Sequence, residues 1–366
     1  MNHTAPGALR RRLIAAGSLT AAAALALTGC AGGGATAGDG GGSDTDAIGV
    51  SLIVKTTTNP FFVAMQDGAE AAADELGVEL TLAAGKEDGD EDTQIQAVEN
   101  AISKGDAGIL ITPNGPGVED ALVKARDAGL FVIALDTPPA DPEAVDITFA
   151  TDNFAAGQEI GKWTAAKLAG ETATIALIDL FDDKIVSVDY NRDQGFLDGM
   201  GIDTADAAVN GDEAKSGTYS GGDYEIVGNE ASGGAEDGGR TAAETLLSKN
   251  PNINVVYTIN EPAAYGAYEA FKAAGKDDVI VVSVDGGCAG VDQVAEGIIG
   301  ATSQQYPVKM AELGVQAIFD LVKTGKAPET TEGLDFFDTG VALVTDDPQE
   351  GVDSIDTTEG GEICWG

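Results

Sequence analysis

Polar and aromatic side chains recur in this sequence where apolar runs stop. Asn59-Pro60-Phe61-Phe62 follows the β-branched run Ile48–Val54. Asp136 closes Phe131–Leu135, Asn260 and Glu261 follow Val255–Ile259, and Asp285 closes Val279–Val284. Carboxylates and amides exchange hydrogen bonds with adjacent hydroxyls, often in pairs, and an aromatic face covers the C–H face of a ring. Together they form the mixture that a polyhydroxylated ring needs. Any one of them alone is more often a helix cap, because Asx side chains favour turns and helix starts. Their recurrence at equivalent strand ends shifts the balance towards a site.

Those positions require a scaffold. Ile48–Val54, Val78–Ala83, Ala107–Ile111 and Phe131–Leu135 read as strands, alternating with helical spacing over Phe61–Leu76, Thr93–Lys104 and Val118–Ala128. After Asp152-Asn153 the pattern restarts, with strands over Thr174–Leu180, Tyr224–Val227, Val255–Ile259 and Val279–Val284. The intervening helices are Ala155–Leu168, Asp193–Met200, Gly239–Ser248 and Ala263–Ala274, while Gly201–Asp223 reads as a polar inserted loop. Buried strands alternating with amphipathic helices imply an α/β fold with parallel sheets. About 320 residues beyond the leader suit two doubly wound lobes rather than one. Ligands of such sheets bind beyond the carboxyl ends of the strands, where the residues above stand.

The only histidine, His3, lies in the leader, and the cysteines are Cys30, Cys288 and Cys364. Zinc centres, Ser-His-Asp triads and Cys-His dyads each lack a necessary member. The expectation is a non-enzyme with no cofactor and no metal. Asp88, Asp90, Asp92 and Glu99 do fall at positions 1, 3, 5 and 12 of a calcium loop, but Thr93 stands where the sharp turn needs glycine. Those acids suit the start of a helix instead. The paired acids Asp182-Asp183 point in different directions and make no glycosidase pair.

The first thirty residues place the rest. Arg10, Arg11 and Arg12 precede an apolar stretch to Leu27, then Leu27-Thr28-Gly29-Cys30. This is the layout of an export signal, too short to span a bilayer. The arginine pair also suits twin-arginine export. The tetrapeptide resembles a bacterial lipobox, which implies cleavage after residue 29 and a lipid on Cys30. Residues 31–46 are small and polar and read as a flexible tether. Removing the three arginines leaves 17 basic residues of 20 against 61 acidic ones, a net −44. Such a surface repels nucleic-acid phosphates and anionic headgroups, so no nucleic-acid partner is expected.

Several strings taken in order resemble the ribose-type periplasmic sugar-binding proteins. They are Thr58-Asn59-Pro60-Phe61-Phe62, Asp136 in Ala134–Pro138, Asp152-Asn153, Arg192 in Asn191–Phe196, Asn260-Glu261, Asp285-Gly286-Gly287, and Gln305 in Ala301–Gln305. The resemblance spans nearly all of Ile48–Thr345. Asp285–Cys288 and Gln304–Pro307 look most like a fructose-type branch. It implies a type I binding-protein fold with a three-crossover hinge near Thr151, Gln305 and Gly340. The lobes would be 48–151 plus 306–339 and 152–305 plus 340–366. It further implies that Phe61 and Phe62 sandwich a sugar ring, while Asn59, Asp136, Arg192, Asn260, Asp285 and Gln305 bind its hydroxyls. Thr137, Lys55 and Ala231–Glu236 depart from the ribose pattern, which points to a monosaccharide other than ribose. The implied role is a monomeric receptor, lipid-anchored outside the cell membrane, that closes on its sugar and passes it to the permease of an ABC transporter. The alternative is a sugar receptor for chemotaxis or signalling with the same fold. A sugar-responsive transcription regulator would need a helix-turn-helix and a basic surface instead.

With Cys30 assigned to lipid, Cys288 and Cys364 form an even pair in an exported chain, where disulfides persist. Their bridge would tie the acidic tail, residues 346–366, onto the second lobe.

Overall fold

The computed structural model describes residues 47–366. The expected signal peptide, Cys30 and the tether up to residue 46 lie outside the described residues. The chain first lays down β1 (Gly49–Val54), α1 (Pro60–Leu76), β2 (Glu79–Ala84), α2 (Glu91–Lys104), β3 (Gly108–Ile111), α3 (Glu119–Asp127), β4 (Phe131–Leu135) and β5 (Ile147–Ala150). It then enters α4 (Asn153–Leu168), β6 (Ala173–Asp179), α5 (Ser187–Met200), β7 (Ser216–Thr218), β8 (Asp223–Ala231) and α6 (Glu236–Lys249). β9 (Val255–Thr258), α7 (Glu261–Ala273), β10 (Ile280–Asp285), α8 (Cys288–Ala295) and β11 (Ala301–Gln304) follow. The last elements are α9 (Pro307–Thr324), β12 (Phe337–Asp338), β13 (Ala342–Val344) and α10 (Thr357–Ile363).

These strands form two sheets, ordered β12-β5-β4-β3-β1-β2 and β13-β11-β10-β9-β6-β8-β7. Every pairing in the first sheet is parallel. The second is parallel except at its edges, where β13 runs against β11 and β7 against β8. Central strands are apolar on both faces, as sheets covered by helices on both sides require: Val50, Leu52, Ile53 and Val54 of β1 are all buried. The inserted segment Gly201–Asp223 is not wholly loop, since β7 lies within it and extends the second sheet.

The chain passes between the sheets three times, after β5, after β11 and between β12 and β13. The second passage lets α9 pack beside α1, its Met310, Ala311, Val315 and Ile318 joining the core of the first sheet. Two α/β lobes joined by three crossings result.

Helix starts set the site. Asn59 caps α1, its side chain accepting from the Phe61 amide at 2.9 Å with Pro60 in the first turn, and Gly77 ends the helix in the left-handed conformation at φ 69°. Asp90 caps α2 through the Thr93 amide and hydroxyl, and these bonds lower its pKa to about 2. This is the capping role that competed with calcium binding. In the second lobe α4 and α5 meet backbone to backbone. A Cβ on Gly157 would fall 2.2 Å from the Arg192 carbonyl oxygen, and one on Gly195 2.2 Å from that of Phe154. Gly161 and Gly199 repeat the contact one turn on.

Candidate functional site

Strands β1 and β4 of the first lobe and β10 of the second end on one narrow cavity of about 40 Å³. Arg192, on α5, projects into it and is 4% exposed. Its Nε donates to Asn153 Oδ1 at 2.7 Å and its Nη1 to the Ile259 carbonyl at 2.9 Å. The guanidinium stands 3.9 Å from Asp136 and 3.7 Å from Asp285. Lys55 Nζ, at the end of β1, lies 3.9 Å from the other Asp136 oxygen. All three separations exceed hydrogen-bonding distance, so the charges balance without a hydrogen bond between cation and carboxylate. Asp136 Oδ1 and Gln305 Oε1 are buried without any hydrogen-bond partner. Leaving such atoms unpaired costs free energy, which a ligand that pairs them would recover.

The backbone carries strain at the same point. Among the described residues, only Asp136 (φ 64°), Ala169 and Asp285 (φ 146°) have positive φ without being glycine. Ala169 merely ends α4. The aspartates turn sharply out of β4 and β10, and strain of this kind persists where surrounding structure over-determines it. Burial raises the Asp285 pKa to about 6, against the pull of Arg192 and Gln305, whose Nε2 donates to Asp285 Oδ1 at 2.8 Å. Burial likewise raises Asp88, from the loop after β2, which borders the same cavity.

Asn59, Phe61, Phe62, Asp136, Arg192, Asn260, Asp285 and Gln305 all line this cavity. Asp152, Asn153 and Glu261 do not. Asp152 caps α4 through the Ala155 amide, and its side chain is spent there. Asn153 acts one step back, holding Arg192. Glu261 accepts from the Gly286 and Gly287 amides and from Thr302, so it braces the turn bearing Asp285. Burial, followed by repulsion from Asp285, raises its pKa to about 8. Phe61 and Phe62, expected to sandwich a ring, stand against each other with no gap between them. Their centroids are 5.2 Å apart at 86°, edge to face, because neighbours on one helix turn cannot be parted to admit a ring. They form a one-sided wall. Lys55 and Asp88 were not singled out from the sequence as ligand contacts. A lysine closing an apolar strand was the available signal for the first.

A second acidic cluster lies nearby. Asp179 ends β6, and Asp189 and Asp193 sit on α5, all buried. Burial, then the Asp189 charge, raises Asp179 to about 7, and burial raises Asp189 to about 6 and Asp193 as well. Among the described residues no group of three or more Cys, His, Asp or Glu side chains is placed to hold a metal ion.

Two α/β lobes of parallel sheet, crossed three times by the chain and enclosing a charged polar cavity, define a type I periplasmic binding protein. The chain belongs to that family: the model of the periplasmic binding protein domain matches residues 48–327. It is similar to the ribose import binding protein of Escherichia coli, at 28% identity over 76% of this chain and 86% of that protein. A D-apiose import binding protein of Actinobacillus succinogenes is 30% identical over 78% of this chain and 85% of its own length. Among solved structures, an ABC transporter solute-binding protein from Agrobacterium vitis with bound D-fucose superposes with a TM-score of 0.70. That match has 25% identity and covers 87% of this chain and 100% of the other.

Proposed function

We propose that this protein is the extracytoplasmic receptor of an ABC importer, that it captures a monosaccharide by hinge closure, and that a lipid on Cys30 holds it at the outer face of the membrane. One observation carries the binding reading. Arg192 stands between two aspartates on strained backbone, around a cavity into which Asp136 and Gln305 present unpaired oxygens. A polyol supplies the hydroxyls that those oxygens lack, and Phe61 and Phe62 offer it an apolar face. Relatives whose names record ribose, apiose and allose support the ligand class. The same relatives support transport rather than catalysis.

The mechanism is population shift. At about 40 Å³ the cavity is close to the volume that one water occupies in the liquid, too small for a sugar ring. A sugar would enter an open form and be enclosed as the lobes meet. Asp136 and Phe62 come from one lobe, Arg192 and Asp285 from the other. A ligand bridging them favours the closed state by its differential contacts. Calorimetry against a panel of aldoses and ketoses tests this. The expected result is saturable binding of at least one monosaccharide without its consumption, and turnover or silence across the panel would overturn the reading. Cys30→Ser should release the chain from membranes on fractionation, and retention would remove the lipid.

A further inference from the structure

The C-terminal tail makes contacts that sugar capture alone does not explain. Cys364 is disulfide-bonded to Cys288, the first residue of α8. The Cys288 amide donates to the Trp365 carbonyl at 2.9 Å, and Gln304 Nε2 to the Gly360 carbonyl at 3.1 Å. These bonds fasten the tail to the second lobe. Burial does little of that work, since Gly360 is the only buried residue of α10.

The Trp365 side chain then leaves that lobe. It is 8% exposed and belongs to the apolar cluster of the first sheet. Its ring meets Phe61 edge to face, centroids 5.3 Å apart at 80°. Its Nε1 donates to the Gln305 carbonyl at 2.7 Å, on a crossing between lobes. It also lies against Gly287, in the turn after Asp285, where an added Cβ would approach the ring to 3.3 Å. One side chain thus touches three segments that each bear a cavity-lining residue, namely Phe61, Gln305 and Asp285.

We propose that Trp365 is a positioning residue. Carried on a tail that is covalently fixed to the second lobe, it keys the Phe61 wall of the first lobe to the Asp285 turn of the second and sets how closely the lobes meet. Its indole N–H fixes the Gln305 backbone, and its ring fixes the angle of Phe61. The disulfide supplies the anchorage, without which a short helix burying one glycine would release the tryptophan. None of this depends on the ligand being a sugar.

The chain has two tryptophans, Trp365 and Trp163, and Trp163 is buried in the second-lobe core. Incorporate 5-fluorotryptophan into the whole oxidised chain and record its fluorine spectrum in H2O and D2O. Loss of one resonance in Trp365→Phe assigns it. The expected Trp365 signal shows almost no solvent isotope shift in the parent and a full one in the Cys288→Ser/Cys364→Ser double variant, with the Trp163 signal unmoved. A full shift in the parent, or none in the double variant, would overturn the proposal.

Small-angle scattering of the unliganded protein supplies the second arm. Trp365→Ala should enlarge the radius of gyration, and Trp365→Phe, which keeps the contact with Phe61, should restore part of it. Equal radii for parent and alanine variant would overturn the tie. The third arm is calorimetry with D-ribose, D-allose and D-fucose. For any of these that the parent binds, Trp365→Ala should lower affinity about tenfold, the scale of one lost buried hydrogen-bonding arrangement. Failure of the parent to bind all three strikes the sugar reading and leaves the scattering comparison to decide the tie.

Discussion

Asp136 and Asp285 have the Arg192 guanidinium between them, whereas Asp179 and Asp193 face amides and further acids. The clusters share α5, which carries Arg192 into one and Asp189 and Asp193 into the other. Both leave oxygens without partners, Asp136 Oδ1 in the first and Asp179 Oδ1 in the second. Their surroundings differ. In the first, cations balance the charge at distances too long to consume the hydrogen bonds, so spare acceptors remain beside a cavity. In the second, acceptor meets acceptor, and burial raises the carboxyl pKa values.

Removing the cation should convert the first cluster into the second, with the largest effect. Arg192→Met leaves Asp285 buried without a cation and Asp136 with Lys55 alone. It should cost about 3–5 kcal/mol of stability and abolish ligand binding. Urea unfolding and calorimetry read both, and a variant as stable as the parent would mean the aspartates need no counter-charge.

The pH dependence comes next. Asp179 is raised in the folded state from 3.8 to about 7, and Asp189 to about 6. The fold thus binds these protons more tightly than the unfolded chain does. Their stabilising contribution is complete below about pH 3.8 and is lost as pH rises through about 7. Glu261, raised to about 8, acts with the same sign. The melting temperature should therefore fall between pH 4.5 and 7.5, and Asp179→Asn should flatten the fall. A parent that gains stability over that range would contradict the assignment.

Asp285→Ala should weaken ligand binding about tenfold, as expected for about 1–3 kcal/mol from a buried partner left unpaired, while Asp193→Asn leaves affinity alone. Equal effects on affinity would erase the distinction between the clusters. The smallest change is Asp152→Ala. It removes a cap outside both clusters, for about 1 kcal/mol of stability and no change in affinity.

The sequence made the scaffold legible where periodicity was strong. β4 begins and ends where its apolar run does, and α1 is bracketed by Pro60 and Gly77. It was silent where burial is polar. β11 is Ala-Thr-Ser-Gln, every residue buried, and no hydrophobic run announces it. α10 lacks an apolar face, and an acidic tail gives little sign that its penultimate residue is inserted between lobes. Spacing also cannot separate a cap from a ligand contact. Asn59, Asp152 and Asn260 all cap helices, yet only Asn59 and Asn260 also border the cavity. The Asn260 side chain accepts from the Ala263 amide and donates to the Gly234 carbonyl.

The glycine seam between α4 and α5 bears on how such a receptor changes its specificity over generations. Loop residues around the cavity can be exchanged one at a time, each altering a single contact. A methyl group at Gly157 or Gly195 deletes nothing; it levers a whole helix outward and carries Arg192, Asp189 and Asp193 with it. The seam is thus a fixed datum from which the adjustable parts are measured. Descendants that acquire a new ligand are expected to differ in the loops and to keep these four glycines.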